Sequence, residues 1–262
     1  MARSKRQTEA PDDRSVAGRR PVLELLRAGS PVERIFMAEG SAPSDVLEEI
    51  KRRASAAAVP VRVVPRTEVE KLAGGENHQG VVAQTGRFRY ADLHDLLGVP
   101  AAALLFLDGV TDPHNLGSLI RSADVAGFTG IVIPARRAAG VTAAVRRVSA
   151  GASEVVPIAR ATNLGRALDE ARAAGVWLVG LDEEAGSDIW TSNLLEPPVG
   201  LVLGAEDRGI GRNVRERCDD LIRIPLAGRL ESLNVAVAGA VAMFEVARRR
   251  AVSAPSDGRL NG

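Results

Sequence analysis

The 262-residue chain is 45% hydrophobic, 26% charged and only 3% aromatic, enough apolar material for one large or two small packed domains. Its 34 Lys and Arg face 33 Asp and Glu, a formal net charge of +1, so any surface made for nucleic acid must be local. A single cysteine, Cys218, excludes an intramolecular disulfide, and His78, His94 and His114 lie too far apart for zinc-ligand spacing. The N-terminus lacks the apolar core of a secretory signal, and no run approaches the ~18 apolar residues of a membrane span. The composition reads as a cytoplasmic protein with no metal and no membrane attachment.

Residues 1–15 are polar and carry Pro11, as a flexible basic tail does; from Met1 to Arg20 six basic side chains stand against three acidic ones. A first α/β block is expected over 16–86. Pro21 opens a short helix with Val22, Leu25 and Leu26 on one side and Gly29 as its stop, and RIFMA (34–38) reads as a strand. Ser44 caps a helix over DVLEEIKRRASAAA, VRVV (61–64) is a second strand, Thr67 opens EVEKLAG, and GVVAQ (80–84) closes the block. His78, just before that strand, reads as a polar turn residue. Residues 87–103 form a linker.

The second block, 104–250, has longer strands that are apolar throughout: ALLFLDG (103–109), GIVIP (130–134), EVVPI (154–158), VWLVGL (176–181), VGLVLG (199–204) and LIRIPL (221–226). Helices are expected near 115–126, 142–149, 162–174 and 234–250. Fully apolar strands alternating with helices predict a parallel sheet covered on both faces. Residues 251–262 make a second flexible tail.

Ligands of open α/β sheets bind beyond the carboxyl ends of strands, and three strand ends here lead into unusual loops. LDGVTDPHNLGSLIRSADVAG places Asn115 as a helix cap and Arg121 six residues on, about 1.7 turns away. Taken alone, these read as a cap and a solvated side chain, with His114 a further candidate contact. LVLGAEDRGIGRNV ends a buried strand at Gly204, which permits close backbone approach by a ligand, and then delivers Glu206. It lacks the spacing of a dinucleotide or Walker-type phosphate loop, which disfavours a nucleotide-dependent enzyme. IRIPLAGRLESLNVAVAGAVAMFEVARRR carries Ser232 and Asn234 before a helix rich in small residues.

DPHNLGSLIRSADVAG, LVLGAEDRGIG and IPLAGRLESLNVAVA resemble, in order and spacing, the three motifs of the SpoU (TrmH-type) family of RNA ribose 2′-O-methyltransferases in the SPOUT superfamily. GRRPVLELLRAG and NHQGVVA resemble the substrate-binding domain of the subgroup that methylates a guanosine of 23S rRNA. The resemblance implies an α/β fold: a trefoil-knotted parallel-sheet catalytic domain with a small N-terminal RNA-binding domain of ribosomal-protein type. It implies a homodimer that binds S-adenosyl-L-methionine at Gly204, Ile224 and Leu233, largely through backbone groups, and RNA as substrate. Functional side chains fall on Asn115, Arg121, Glu206, Ser232 and Asn234. Two positions depart from the family pattern: Leu226 stands where Met is usual, and Ala236 replaces a Ser near the cofactor loop.

Methyl transfer to a 2′-hydroxyl needs positioning and proton removal. Arg121 is expected at the hydroxyl, Asn115 and Ser232 at ribose or phosphate, and Glu206 and Asn234 as holders of the loops. A guanidinium keeps its proton, so charge stabilisation of the alkoxide stands beside the general-base role. The alternatives are a tRNA or another rRNA site, including a role in antibiotic resistance, and a non-catalytic RNA-binding assembly factor.

Overall fold

A computed structural model describes residues 15–253 apart from 28, 76, 87 and 231; the expected tails over 1–14 and 254–262 lie outside the described residues. Two compact units are formed. One holds the described residues up to Phe88 together with Thr142–Gly151; the other holds Arg89–Val141 and the described residues from Ala152 onward.

The first unit runs β1 (Ser15–Ala17), α1 (Arg19–Arg27), β2 (Val32–Ala38), α2 (Asp45–Ala56), β3 (Val61–Val64), α3 (Arg66–Ala73) and β4 (Val81–Thr85). Its four-stranded sheet has the order β1-β4-β2-β3, antiparallel except where β2 meets β3. Alternation along the strands feeds two cores. Ile35, Met37, Val81 and Ala83 face Val22 and Leu25 of α1 and Leu47 and Ile50 of α2. Phe36, Ala38 and Val82 face Val69 and Ala73 of α3. Ser44 caps α2 as expected, accepting from the Leu47 N–H at 3.3 Å. Thr67 does not open α3, which starts one residue earlier with Pro65 before it and no side-chain cap. His78 is indeed a turn residue: its Nδ1 accepts the Gly80 N–H at 3.0 Å. Arg19, one of the basic residues counted with the N-terminal arm, serves the fold. It donates to the Gln79 carbonyl, Ser44 Oγ and the Ala42 carbonyl.

The second unit starts with α4 (Leu93–Leu97) inside the expected linker, capped by Asp92, with Leu96 buried against the sheet. It continues with β5 (Ala103–Asp108), α5 (Pro113–Val125) and β6 (Gly130–Pro134). The chain then returns to the first unit for α6 (Ala143–Val148), which packs on α1 and β1 and places Ala143 in their core. The rest of the second unit is β7 (Ile158–Ala161), α7 (Leu164–Ala173), β8 (Trp177–Leu181), β9 (Ser187–Asp188), β10 (Val199–Gly204), α8 (Arg212–Arg215), β11 (Asp220–Arg223) and α9 (Val235–Ser253). The seven strands are parallel throughout, in the order β7-β6-β5-β10-β8-β11-β9. Leu104, Leu105, Phe106 and Leu107 are essentially inaccessible, as a central strand covered on both faces requires. Each such side chain contributes roughly 1.5–3 kcal/mol of burial.

Prolines explain two shifted strands. EVVPI does not form a strand as a whole: Ala152–Glu154 make a 3-10 turn and β7 begins at Ile158, after Pro157, which has no N–H for a ladder. LIRIPL stops pairing at Arg223, two residues before Pro225. The small residues of α9 serve the chain's own core. A Cβ on Gly239 would sit 2.5 Å from Leu119 of α5 and 2.6 Å from Leu203 of β10. Burial, reinforced by the Asp219 carboxylate, pushes the Cys218 thiol up to about 12, so the one cysteine offers no thiolate nucleophile. No described helix is long and apolar enough to cross a membrane.

Candidate active site

The crevice between β5 and β10 is where strand order reverses, since β6 and β7 lie to one side of β5 and β10 and β8 to the other. Asp108 pairs with Gly204 at its mouth. Asp108 Oδ2 also accepts the Gly211 N–H at 2.8 Å, tying the loop after β10 to the end of β5.

Asn115 is not the cap of α5. Asp112 is, accepting from the His114 N–H at 3.0 Å, with Pro113 starting the helix. A carboxylate before an N1 proline satisfies the first turn and suits the positive end of the helix. Asn115 is thereby released to turn its buried side chain across the crevice. After β10, Ala205 and Gly209 exchange backbone hydrogen bonds of 3.1 and 2.9 Å, which closes Glu206, Asp207 and Arg208 into a tight turn. A Cβ on Gly204 would collide with the backbone of Gly209 and Ile210. This glycine therefore lets its own turn pack closely, while its backbone still lines a cavity beside that turn.

Asn234 joins the three loops. Its Oδ1 caps α9 by accepting from the Ala236 and Val237 N–H groups at 2.9 and 3.3 Å. Its Nδ2 donates to Asn115 Oδ1 at 3.1 Å and to Glu206 Oε1 at 3.0 Å. Asn115 Nδ2 donates to the same Glu206 oxygen. Removal of this amide has two separable effects. Asn234→Ala is expected to cost about 1 kcal/mol of capping, or roughly 2–4 °C of Tm for a chain of this size, together with turnover. Asn234→Ser is expected to recover the Tm through its hydroxyl cap without recovering turnover, as thermal melts and activity assays would show.

Two cavities of about 400 Å³ each flank the Glu206 turn. The first opens at the carboxyl ends of β8, β10 and β11 and is lined by Gly204, Ile224, Leu226, Ser232 and Leu233, with Asp182 at the end of β8. Asp182 accepts the Glu184 N–H at 2.9 Å and pairs with Arg215 at 2.7 Å. It follows the apolar run VWLVGL, so the strand-end rule that singled out Glu206 applies to it equally. Among the described residues, no peptide group from 224 to 233 has a protein partner, which leaves N–H and C=O groups of that loop for a ligand. The second cavity is lined by Gly109, Asp112, Asn115, Arg137 and Arg208, among others.

Of the eight residues picked from sequence, Asn115, Glu206 and Asn234 are bonded together, and Gly204, Ile224, Leu233, Ser232 and Glu206 line one cavity. Arg121 stands apart. It is exposed on α5, lines neither cavity, and among the described residues makes no hydrogen bond or ion pair. His114 is exposed too. No three His, Cys, Asp or Glu among the described residues gather as a metal site.

Comparison with known proteins identifies the family and the fold. The SpoU rRNA Methylase family matches residues 102–244, and the family described as RNA 2′-O ribose methyltransferase substrate binding matches residues 15–91. An uncharacterized tRNA/rRNA methyltransferase of Mycobacterium ulcerans is 43% identical over 241 residues, covering 90% of this chain and 77% of that protein. A putative TrmH family tRNA/rRNA methyltransferase, YacO of Bacillus subtilis, is 40% identical over 242 residues, covering 90% and 95%. Among solved structures, the SpoU methyltransferase AviRb from Streptomyces viridochromogenes, in complex with AdoMet, superposes with a TM-score of 0.74 at 28% identity, over 92% of this chain and 91% of that one. With the parallel sheet, the strand-end site and both family matches in agreement, the chain belongs to the SpoU family of RNA methyltransferases.

Proposed function

We propose that this chain moves the methyl group of S-adenosylmethionine onto a ribose 2′-hydroxyl of RNA in the cytoplasm, its target a guanosine of 23S rRNA. The observation that carries this reading is the bonding of Asn234 to both Asn115 and Glu206. It draws three distant loops to the rim of a cavity of ligand size. The cavity suits the cofactor: Ile224, Leu226 and Leu233 supply apolar walls, and the peptide groups of the described residues between 224 and 233, unpartnered among those residues, suit a purine edge. Gly204, Ile224 and Leu233 would hold it, chiefly through backbone groups. When bound, S-adenosylmethionine supplies an electrophilic methyl on a sulfonium.

The chain's own residues must place and activate the oxygen. Asn115 and Ser232 orient the ribose, while Glu206 and Asn234 keep their loops in register. Arg121 stabilises the developing alkoxide, and water or an RNA phosphate takes the proton. A second copy supplies that arginine. Two facts support this: the exposure of Arg121 on α5, and an apolar stripe on α9 with Val237 50%, Phe244 49% and Val252 75% exposed, which suits a homodimer contact. The insertion of β10 between β5 and β8 supports the threaded C-terminal segment that the family resemblance implies. The N-terminal unit contributes recognition of RNA shape.

Incubation with methyl-labelled cofactor and deproteinised 23S rRNA, 16S rRNA and tRNA pools tests the reading. A single 2′-O-methylguanosine in 23S rRNA is expected. Label in tRNA or 16S rRNA would move the target, and label in none would favour a non-catalytic assembly factor.

A further inference from the structure

The second cavity shares the Glu206–Asp207–Arg208 turn with the cofactor cavity, so whatever fills it lies against the same wall. We infer that it takes the acceptor nucleotide, with Arg137 and Arg208 gripping the phosphate beside the reacting ribose; this rests on the methyl-transfer reading above. Both arginines are exposed, and among the described residues neither has a hydrogen bond or ion pair. That is unexpected in their surroundings, because Asp112, Glu206 and Asp207 line the same cavity. Asp112 accepts the His114 N–H and Glu206 two side-chain amides, and among the described residues none of the three carboxylates pairs with either arginine. The two guanidinium forks are left for an external acceptor, and a phosphate meets such a fork with two parallel bonds.

Local structure sets both arginines in place. Arg137 holds a left-handed backbone, φ 57°, which L side chains rarely adopt. The Arg208 guanidinium lies over Gly109, where any Cβ would collide with it, so the glycine after β5 clears the space the arginine occupies. The 13-residue helix α5 begins at the same cavity, with its first turn already capped by Asp112. Asn115 and Glu206 line this cavity together with the two arginines, so a ribose held there meets the Asn115 amide.

Arg137→Ala and Arg208→Ala, with the Lys variant at each site, would be assayed on deproteinised rRNA for KM, kcat and the salt dependence of binding, and on S-adenosylmethionine alone for Kd. Each Ala variant is expected to raise KM for RNA about tenfold. Each should also lower the slope of log K against log salt by about one, with kcat, Tm and cofactor Kd near the parent's. Each Lys variant should keep the parent's salt slope and give an intermediate KM, since it keeps the charge and loses the fork. Parent-like KM and slope in both Ala variants would overturn the inference while leaving the enzyme's function intact. A matching loss of cofactor affinity would overturn it as well, by assigning the arginines to loop structure. Absence of transfer to any RNA by the parent chain would instead remove the function on which the inference rests.

Discussion

Arg121→Ala is expected to lower methyl transfer at least about a hundredfold while S-adenosylmethionine binds as before. The size follows from what removal of one pre-positioned donor at a developing oxyanion typically costs, about 10²–10³ in kcat. The indifference of cofactor binding follows from geometry, since Arg121 lines neither cavity. It is exposed and unbonded among the described residues, so the substitution should also leave Tm unchanged. Isothermal titration with the cofactor and single-turnover transfer would separate the two effects. If the arginine is delivered by a second copy, mixing Arg121→Ala with Glu206→Ala should restore about a quarter of the sites. Random pairing makes half the dimers mixed, and each mixed dimer holds one intact site of two. No recovery on mixing would place Arg121 in its own subunit's site, and unimpaired transfer by Arg121→Ala would take it out of the chemistry.

Gly204→Ala should be the most damaging single methyl group in the second unit. Its Cβ would overlap the backbone of Gly209 and Ile210, and backbone cannot step aside as a side-chain tip does. Overpacking of a filled interior costs about 1–3 kcal/mol and occasionally more; at the top of that range Tm falls by roughly 6–12 °C. To relieve the clash, the turn carrying Glu206 must move away from Asn115 and Asn234, so cofactor affinity and turnover should fall together. Gly109→Ala presses on the flexible tip of Arg208 and not on backbone, but its φ of +84° adds strain of its own, so it should lower Tm while sparing cofactor binding. Melting curves and cofactor titrations of both variants would check this, and a Gly204→Ala protein with parental Tm and affinity would contradict the packing argument.

Much of this was open to reading from the chain itself. ALLFLD and VGLVLG are apolar at every position, and only a strand covered on both faces wants that, so the middle of the parallel sheet could be read directly. Asn115, Glu206 and Asn234 stood out as polar residues just past such strands, but their mutual bonding depends on strand order, which no local pattern carries. β1 is three residues long and α8 four, too short for any periodicity to register. Asp112 takes the cap expected at Asn115 because Pro113, which has a fixed φ and no N–H to satisfy, itself starts the helix. Arg137 and Arg208 left no trace in a chain with so many arginines; their distinction is a shared cavity wall, which is a property of the fold.

The excursion of Thr142–Gly151 bears on modularity. Because Ala143 fills part of a core otherwise built from residues before Phe88, the RNA-recognition module is assembled from two separate stretches of chain. The residues up to Phe88 alone would leave that core without Ala143 and α6, which the connection between β6 and β7 supplies. Anyone wishing to transplant this module onto a different methyl-transferring body would need to carry that connecting peptide along with it.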